Sequence, residues 1–255
     1  MPFYNTYPGF LYRQFLVCPS KAPTNTSLHE KAGLGTGSNT GLGYQACSQL
    51  LGLGLSHLIV AVRNTSKGEA ARESLLASLP ASAKAPVIEI WQLDLGSYDS
   101  VIVFVEQLKQ SKIQIDFALL NAGVANFNFT VNQSTSHEAT IQINWLSTAL
   151  LTPLLLPVLD QQVARHPYHS RPVISIVGSE TAAWAKFMDA QISTKEGVSL
   201  INLLYQLFFL ELFHIHQSSA QRSKGTILNL IKPGFCYGSE LHRTAEGAFG
   251  KVLVV

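Results

Sequence analysis

The chain has 255 residues, 47% of them hydrophobic and 13% charged, with a formal net charge of +2. This composition supports a full globular core and excludes a disordered chain. That charge carries no information about nucleic acid or membranes, but no Lys/Arg run exists that could form a phosphate-tracking stripe.

The chain opens with MPFYNTYPGFLYRQFLVCPS, where Arg13 and Gln14 break a short apolar stretch. Without a basic leader and a long apolar run, this reads not as a secretory signal but as an amphipathic arm, lying on the domain or, as the lesser alternative, on a membrane surface. SKAPTNTSLHEK marks a linker, so residues 1–30 form arm and linker and 31–255 a single domain. From Lys31 onward, strand-like and helix-like stretches alternate. Strands are predicted at 57–63, 87–95, 115–123, 172–179 and 226–234, and helices at 66–79, 98–110, 138–163 and 198–213. A first strand belongs just before Thr36, although Gly33 and Gly35 weaken that expectation. The alternation predicts an α/β fold, a doubly wound parallel sheet with its ligand at the carboxyl ends of the strands.

Helices 138–163 and 198–213 are apolar nearly all round, which predicts a sheet on one side and a second subunit on the other. Pro153, Pro157, Asn202, Gln206 and Glu211 interrupt them, short of the ~20 clean apolar residues of a membrane span. Cys18, Cys47 and Cys236 form no CxxC pair and predict reduced thiols and a cytoplasmic protein. His214 and His216 point to different helix sides, and His166 and His169 lie in a loop, so no metal site is predicted.

TGSNTGLG, Thr36 to Gly43, contains Gly37, Gly41 and Gly43 ahead of a helix. Such a turn lets backbone approach a pyrophosphate at a helix N-terminus. Arg63 follows the second strand, where an acid would accept from the ribose of NAD and an Arg can hold the 2′-phosphate of NADP, the alternative being a plain surface charge. Lys67 lies nearby, either assisting or simply solvated.

These stretches, with LDL at Asp94, NAG at Asn121 to Gly123, QINWLST at Asn144, ISIVGSE at Ser179 and KPGF at Lys232 to Phe235, resemble the short-chain dehydrogenase/reductase family. The likeness runs from about residue 28 to 242 and is nearest a fungal branch with a similar GFLYRQ arm. The resemblance implies a Rossmann-type domain and NADP(H)-dependent hydride transfer at an alcohol or carbonyl of a small lipophilic molecule, in a specialised biosynthetic pathway. It assigns the cofactor to Thr36, Gly37, Ser38, Asn39, Gly41, Leu42, Gly43, Arg63, Asp94 and Asn121. It gives Ser179 the substrate oxygen and Asn144 a water on the proton route, and it implies a homodimer.

The family's acid/base is the Tyr of YxxxK, whose Lys lowers a pKa otherwise about 10 and binds the ribose. None of the eight tyrosines here has a Lys four residues on. VSLINLLYQLF resembles the family's VSKLxNLLF with the Lys deleted, which puts Glu196 near the tyrosine position and Leu200 where the Lys belongs. The chain also stops soon after GSELHRTAEGAFGKVLVV, where relatives continue through a substrate-covering helix and strand. Weak NADP(H) binding is therefore expected. Two alternatives stand beside the reductase: a nucleotide- or partner-binding pseudoenzyme, and a mis-spliced or mis-predicted form of an active enzyme.

Overall fold

The computed structural model describes residues 6–18, 23, 25–80, 84–126, 128–165, 170–179, 207–214, 225–233 and 236. Among these residues six strands are present: β1 Ala32–Thr36, β2 His57–Val62, β3 Val87–Gln92, β4 Phe117–Leu120, β5 Val173–Val177 and β6 Ile227–Ile231. The helices are α1 Tyr7–Leu16, α2 Gly41–Gly52, α3 Thr65–Ala77, α4 Tyr98–Ser111, α5 Ala139–Ile141 and α6 Ser147–Arg165. A π-helical turn, Gln142–Leu146, joins α5 to α6. Residues 207–214 add a further helical segment, α7.

All five strand pairings are parallel, in the order β3-β2-β1-β4-β5-β6. This is the doubly wound sheet predicted above, with its order reversing between β1 and β4. Side chains alternate across it. On β2, Ile59 and Ala61 join one core with Phe104 and Leu108 of α4, Leu155 and Leu159 of α6 and Phe209 of α7. Leu58, Val60 and Val62 join a second core with Cys47 and Leu51 of α2 and Leu75 of α3. A strand buried on both faces has no polar side to show, which explains the unbroken run HLIVAV. Leu28, in the segment read as linker, already packs in the second core.

The weakness expected of β1 is not what the fold shows. The strand is buried along its whole length and paired to β2 and β4 on either side. Its glycines serve close approach instead. A Cβ on Gly35 would lie 2.4 Å from Ser38 Oγ and 2.9 Å from Cys47 Sγ, so α2 packs where a side chain would stand.

Pro153 and Pro157 lie inside α6, four residues apart on its exposed side, while Leu151, Leu155 and Leu159 face the core. Contrary to the expectation from its interruptions, the helical stretch Ala139–Arg165 is long and apolar enough, by length and composition, to cross a membrane. Its fully buried leucines nevertheless pack with the sheet residues Ala118 and Ile174. The N-terminal arm forms the helix α1, which the sequence reading did not specify. Thr6 Oγ1 caps it by accepting from Gly9 N at 3.3 Å, and Phe10 is buried while Tyr7, Phe15 and Leu16 are exposed.

Candidate functional site

The residues singled out in the sequence come from segments far apart in the chain, yet they follow the carboxyl ends of neighbouring strands. The glycine turn follows β1, Arg63 follows β2, Asp94 follows β3, Asn121 follows β4 and Ser179 follows β5.

At the switch point, Thr36 ends β1 and its hydroxyl accepts from Asn121 N at 3.0 Å and Ala122 N at 3.1 Å. Asn121 Nδ2 returns the tie, donating to Thr36 O at 3.3 Å and Gly37 O at 3.4 Å. Gly37 has φ 62° and Gly41 φ 58°, left-handed conformations that cost other residues roughly 1–2 kcal/mol. Gly43, in the first turn of α2, leaves no room for a Cβ, which would lie 2.5 Å from Asn121 Nδ2. Bare backbone and a helix N-terminus therefore meet at one place, with Asn39 and Leu42 half-buried beside it. The donor set of this cradle fits the pyrophosphate of a dinucleotide.

Ser38 is fully buried and faces α2, not the solvent side of the turn. Its neighbour Cys47 is buried, and burial pushes the thiol up to about 11 against the smaller opposing effect of a hydrogen bond from Ser38.

Arg63 is exposed just ahead of α3. Asn64 caps that helix, its Oδ1 accepting from Lys67 N at 3.0 Å. The sequence reading missed Asn64, although an Asn three residues before a helix-forming Lys is a recognisable cap.

Asp94 is half-buried, and its Oδ1 accepts from Gly96 N at 2.8 Å. Ser100 Oγ accepts from Asp94 N at 2.9 Å, so the turn is fixed at both ends. Oδ2 of Asp94 accepts nothing from the described residues.

Asn144 sits in the π turn. Its Oδ1 accepts from Val124 N at 2.8 Å and its Nδ2 donates to Val124 O at 2.7 Å. An amide has two donor hydrogens and two lone pairs, so one of each remains for a water. Ser179 is half-buried, two residues beyond β5. Glu196 and Leu200, where the tyrosine and lysine belong by resemblance, lie outside the described residues, and so do Phe235 and His216. No group of metal-ligating side chains occurs among the described residues.

A family model described as short chain dehydrogenase matches residues 31–166. The chain is 38% identical to the short chain dehydrogenase/reductase mfmJ of Annulohypoxylon moriforme, across 94% of this chain and 71% of that one. It is 32% identical to the short chain dehydrogenase sol3 of Alternaria solani, across 92% and 82%. Against the short chain dehydrogenase virL of Hypocrea virens the identity is 46%, across 68% of this chain but only 48% of that one. Among solved structures, a short chain dehydrogenase from Salmonella enterica serovar Typhi has a TM-score of 0.66 at 17% identity, covering 88% of this chain and 84% of that one. The alcohol dehydrogenase of Thermococcus sibiricus, complexed with 5-hydroxy-NADP, has a TM-score of 0.61 at 16% identity, covering 85% and 81%. At such identities the structures speak for the fold alone, and the family rests on the sequence matches. The chain belongs to the short chain dehydrogenase family.

Proposed function

We propose that this chain binds NADP(H) and descends from an oxidoreductase acting on an alcohol or carbonyl of a small lipophilic molecule. The observation that carries this reading is the cradle after β1, where Gly37 and Gly43 leave backbone bare and Asn121 locks the turn. When bound, the cofactor supplies or accepts a hydride. Gly37, Ser38, Asn39, Gly41, Leu42 and Gly43 shape the pyrophosphate seat, Thr36 and Asn121 hold its geometry, and Asp94 offers Oδ2 to the adenine amine. Arg63, with Lys67 on the next turn, provides the charge for a 2′-phosphate. Ser179 orients the substrate oxygen, and Asn144 steadies a water through its spare donor and acceptor.

The sequence has no YxxxK, so no lysine from that motif contacts the ribose or lowers a tyrosine pKa. That observation favours a second reading, a nucleotide binder with little or no turnover. The fungal relatives suit a role in specialised metabolism, and three cysteines outside any disulfide suit the cytoplasm. Exposed Leu207, Leu210 and Phe213 on α7 suit a homodimer.

Calorimetric titration with NADPH and NADH tests the reading. NADPH is expected to bind more tightly, and Arg63→Ala to weaken it by about tenfold while leaving NADH unchanged. Equal affinity for both, indifferent to Arg63, overturns the NADP assignment. An NADPH-consumption assay over a panel of aldehydes and ketones separates the reductase from the silent binder.

A further inference from the structure

The turn that carries Asp94 and the π turn that carries Asn144 come from different parts of the chain, yet one buried oxygen joins them. Ser147 Oγ donates to Leu95 O at 2.5 Å, and Gln142 Nε2 donates to Ser147 Oγ at 2.9 Å. Gln142 Nε2 also lies 3.5 Å from the same Leu95 O. Both side chains are fully buried, and they bracket Asn144, Gln142 two residues before it and Ser147 three after.

The spacing matters. At 3.6 residues per turn, positions five apart on an α-helix point about 140° away from each other. In the π turn Ser147 N donates to Gln142 O, an i to i+5 bond that stacks the two side chains. The Gln142–Ser147 contact therefore exists only while the helix is in its π form, the form that presents Asn144 to Val124. On its far side, Leu95 lies between Asp94 and Gly96, whose own hydrogen bond shapes that turn. Gln142 Oε1 is buried without a partner among the described residues. An apolar side chain would avoid that desolvation cost, so a glutamine at this place calls for a geometric reason.

We propose that Gln142 and Ser147 are positioning residues that couple the Asp94 turn to the π turn bearing Asn144. Occupation of the adenine side then sets the conformation at the reaction side before nicotinamide or substrate makes any contact. The proposal rests on the reading that Asp94 faces the adenine.

Trp145 is a built-in reporter, since it lies in the π turn with its indole Nε1 buried and without a partner among the described residues. The full chain, labelled with [15N]tryptophan, is titrated with adenosine 2′,5′-bisphosphate, which has the adenosine half of NADP and neither nicotinamide nor its ribose. The indole resonance is assigned by its loss in Trp145→Phe. The fragment is expected to shift that resonance in the parent chain. In Ser147→Ala and Gln142→Met it is expected to bind within about threefold of the parent affinity while the shift falls at least about threefold. Loss of thermal stability alone would not produce that split, and either variant suffices if the other does not fold. An undiminished shift in a folded variant overturns the coupling. So does a parent resonance that stays still while the fragment binds and Asp94→Ala weakens it. Binding indifferent to Asp94→Ala removes the adenine reading, and the proposal falls with it.

Discussion

Gly37 at φ 62° would set a Cβ 2.8 Å from the Cα of Ala122, the residue whose N–H is tied to Thr36. Backbone at that distance does not yield as a flexible side-chain tip would. Gly37→Ala is expected to destabilise the fold by about 2–4 kcal/mol, read from denaturant midpoints, and to abolish NADPH binding. The cradle was legible in TGSNTGLG because only glycine tolerates both the left-handed φ and the approach of a second strand's loop. The inward turn of Ser38 was not legible, since a serine in a phosphate loop reads equally well facing the ligand. Its partner Cys47 carries a separate prediction. The thiol rises from 9.0 to about 11 on burial. A folded pKa above the unfolded one means the contribution is intact below pH 9.0 and lost as pH rises toward about 11. Two units correspond to roughly 3 kcal/mol, so unfolding free energy should decline across that window. Cys47→Ala should flatten the decline, and an unchanged slope in that variant would remove the argument.

At the scale of elements, the two glycines of β1 separate two kinds of close contact. A Cβ at Gly33 would meet Leu55 Cδ2 at 3.0 Å, the far end of a side chain that can turn aside. At Gly35 it would meet Ser38 Oγ at 2.4 Å and Cys47 Sγ at 2.9 Å, both short and anchored in the packed loop and α2. Gly33→Ala is therefore expected within about 1 kcal/mol of the parent, helped by a stiffer unfolded chain. Gly35→Ala is expected to cost about 1–3 kcal/mol, by equilibrium urea unfolding. Equal costs would contradict the packing account. Composition alone made these glycines look like a defect, because the neighbours that require them lie on another helix. The π turn was equally hidden. QINWLST has ordinary helical residues, and what holds the extra residue is Leu95 O, 52 positions before Ser147. By contrast β2, α4 and α6 were readable from local pattern, since burial on two faces or one writes itself directly as an apolar run or a helical period.

At the scale of the whole molecule, α7 carries an apolar surface without a partner among the described residues. On α7, Phe209 is buried in the core, whereas Leu207, Leu210 and Phe213 are 47%, 52% and 36% exposed. Steps of three along a helix place these three side chains in one stripe. Beyond the sheet, that stripe needs a second apolar surface, and symmetry supplies the simplest one: the same stripe on another copy, related by a two-fold axis. Burying a leucine stabilises by about 1.5–3 kcal/mol, and in such a dimer each substitution counts twice. Leu210→Glu would set two carboxylates against an apolar face, so the dimer should weaken by about 3 kcal/mol or more, roughly a hundredfold in Kd. Because Leu210 projects away from the core, the variant should keep its circular dichroism spectrum and melt within a few degrees of the parent. Light scattering across a dilution series at micromolar concentrations provides the test. A parent chain that runs as a monomer throughout rejects the two-fold pairing. A dimer that Leu210→Glu leaves intact places the interface elsewhere.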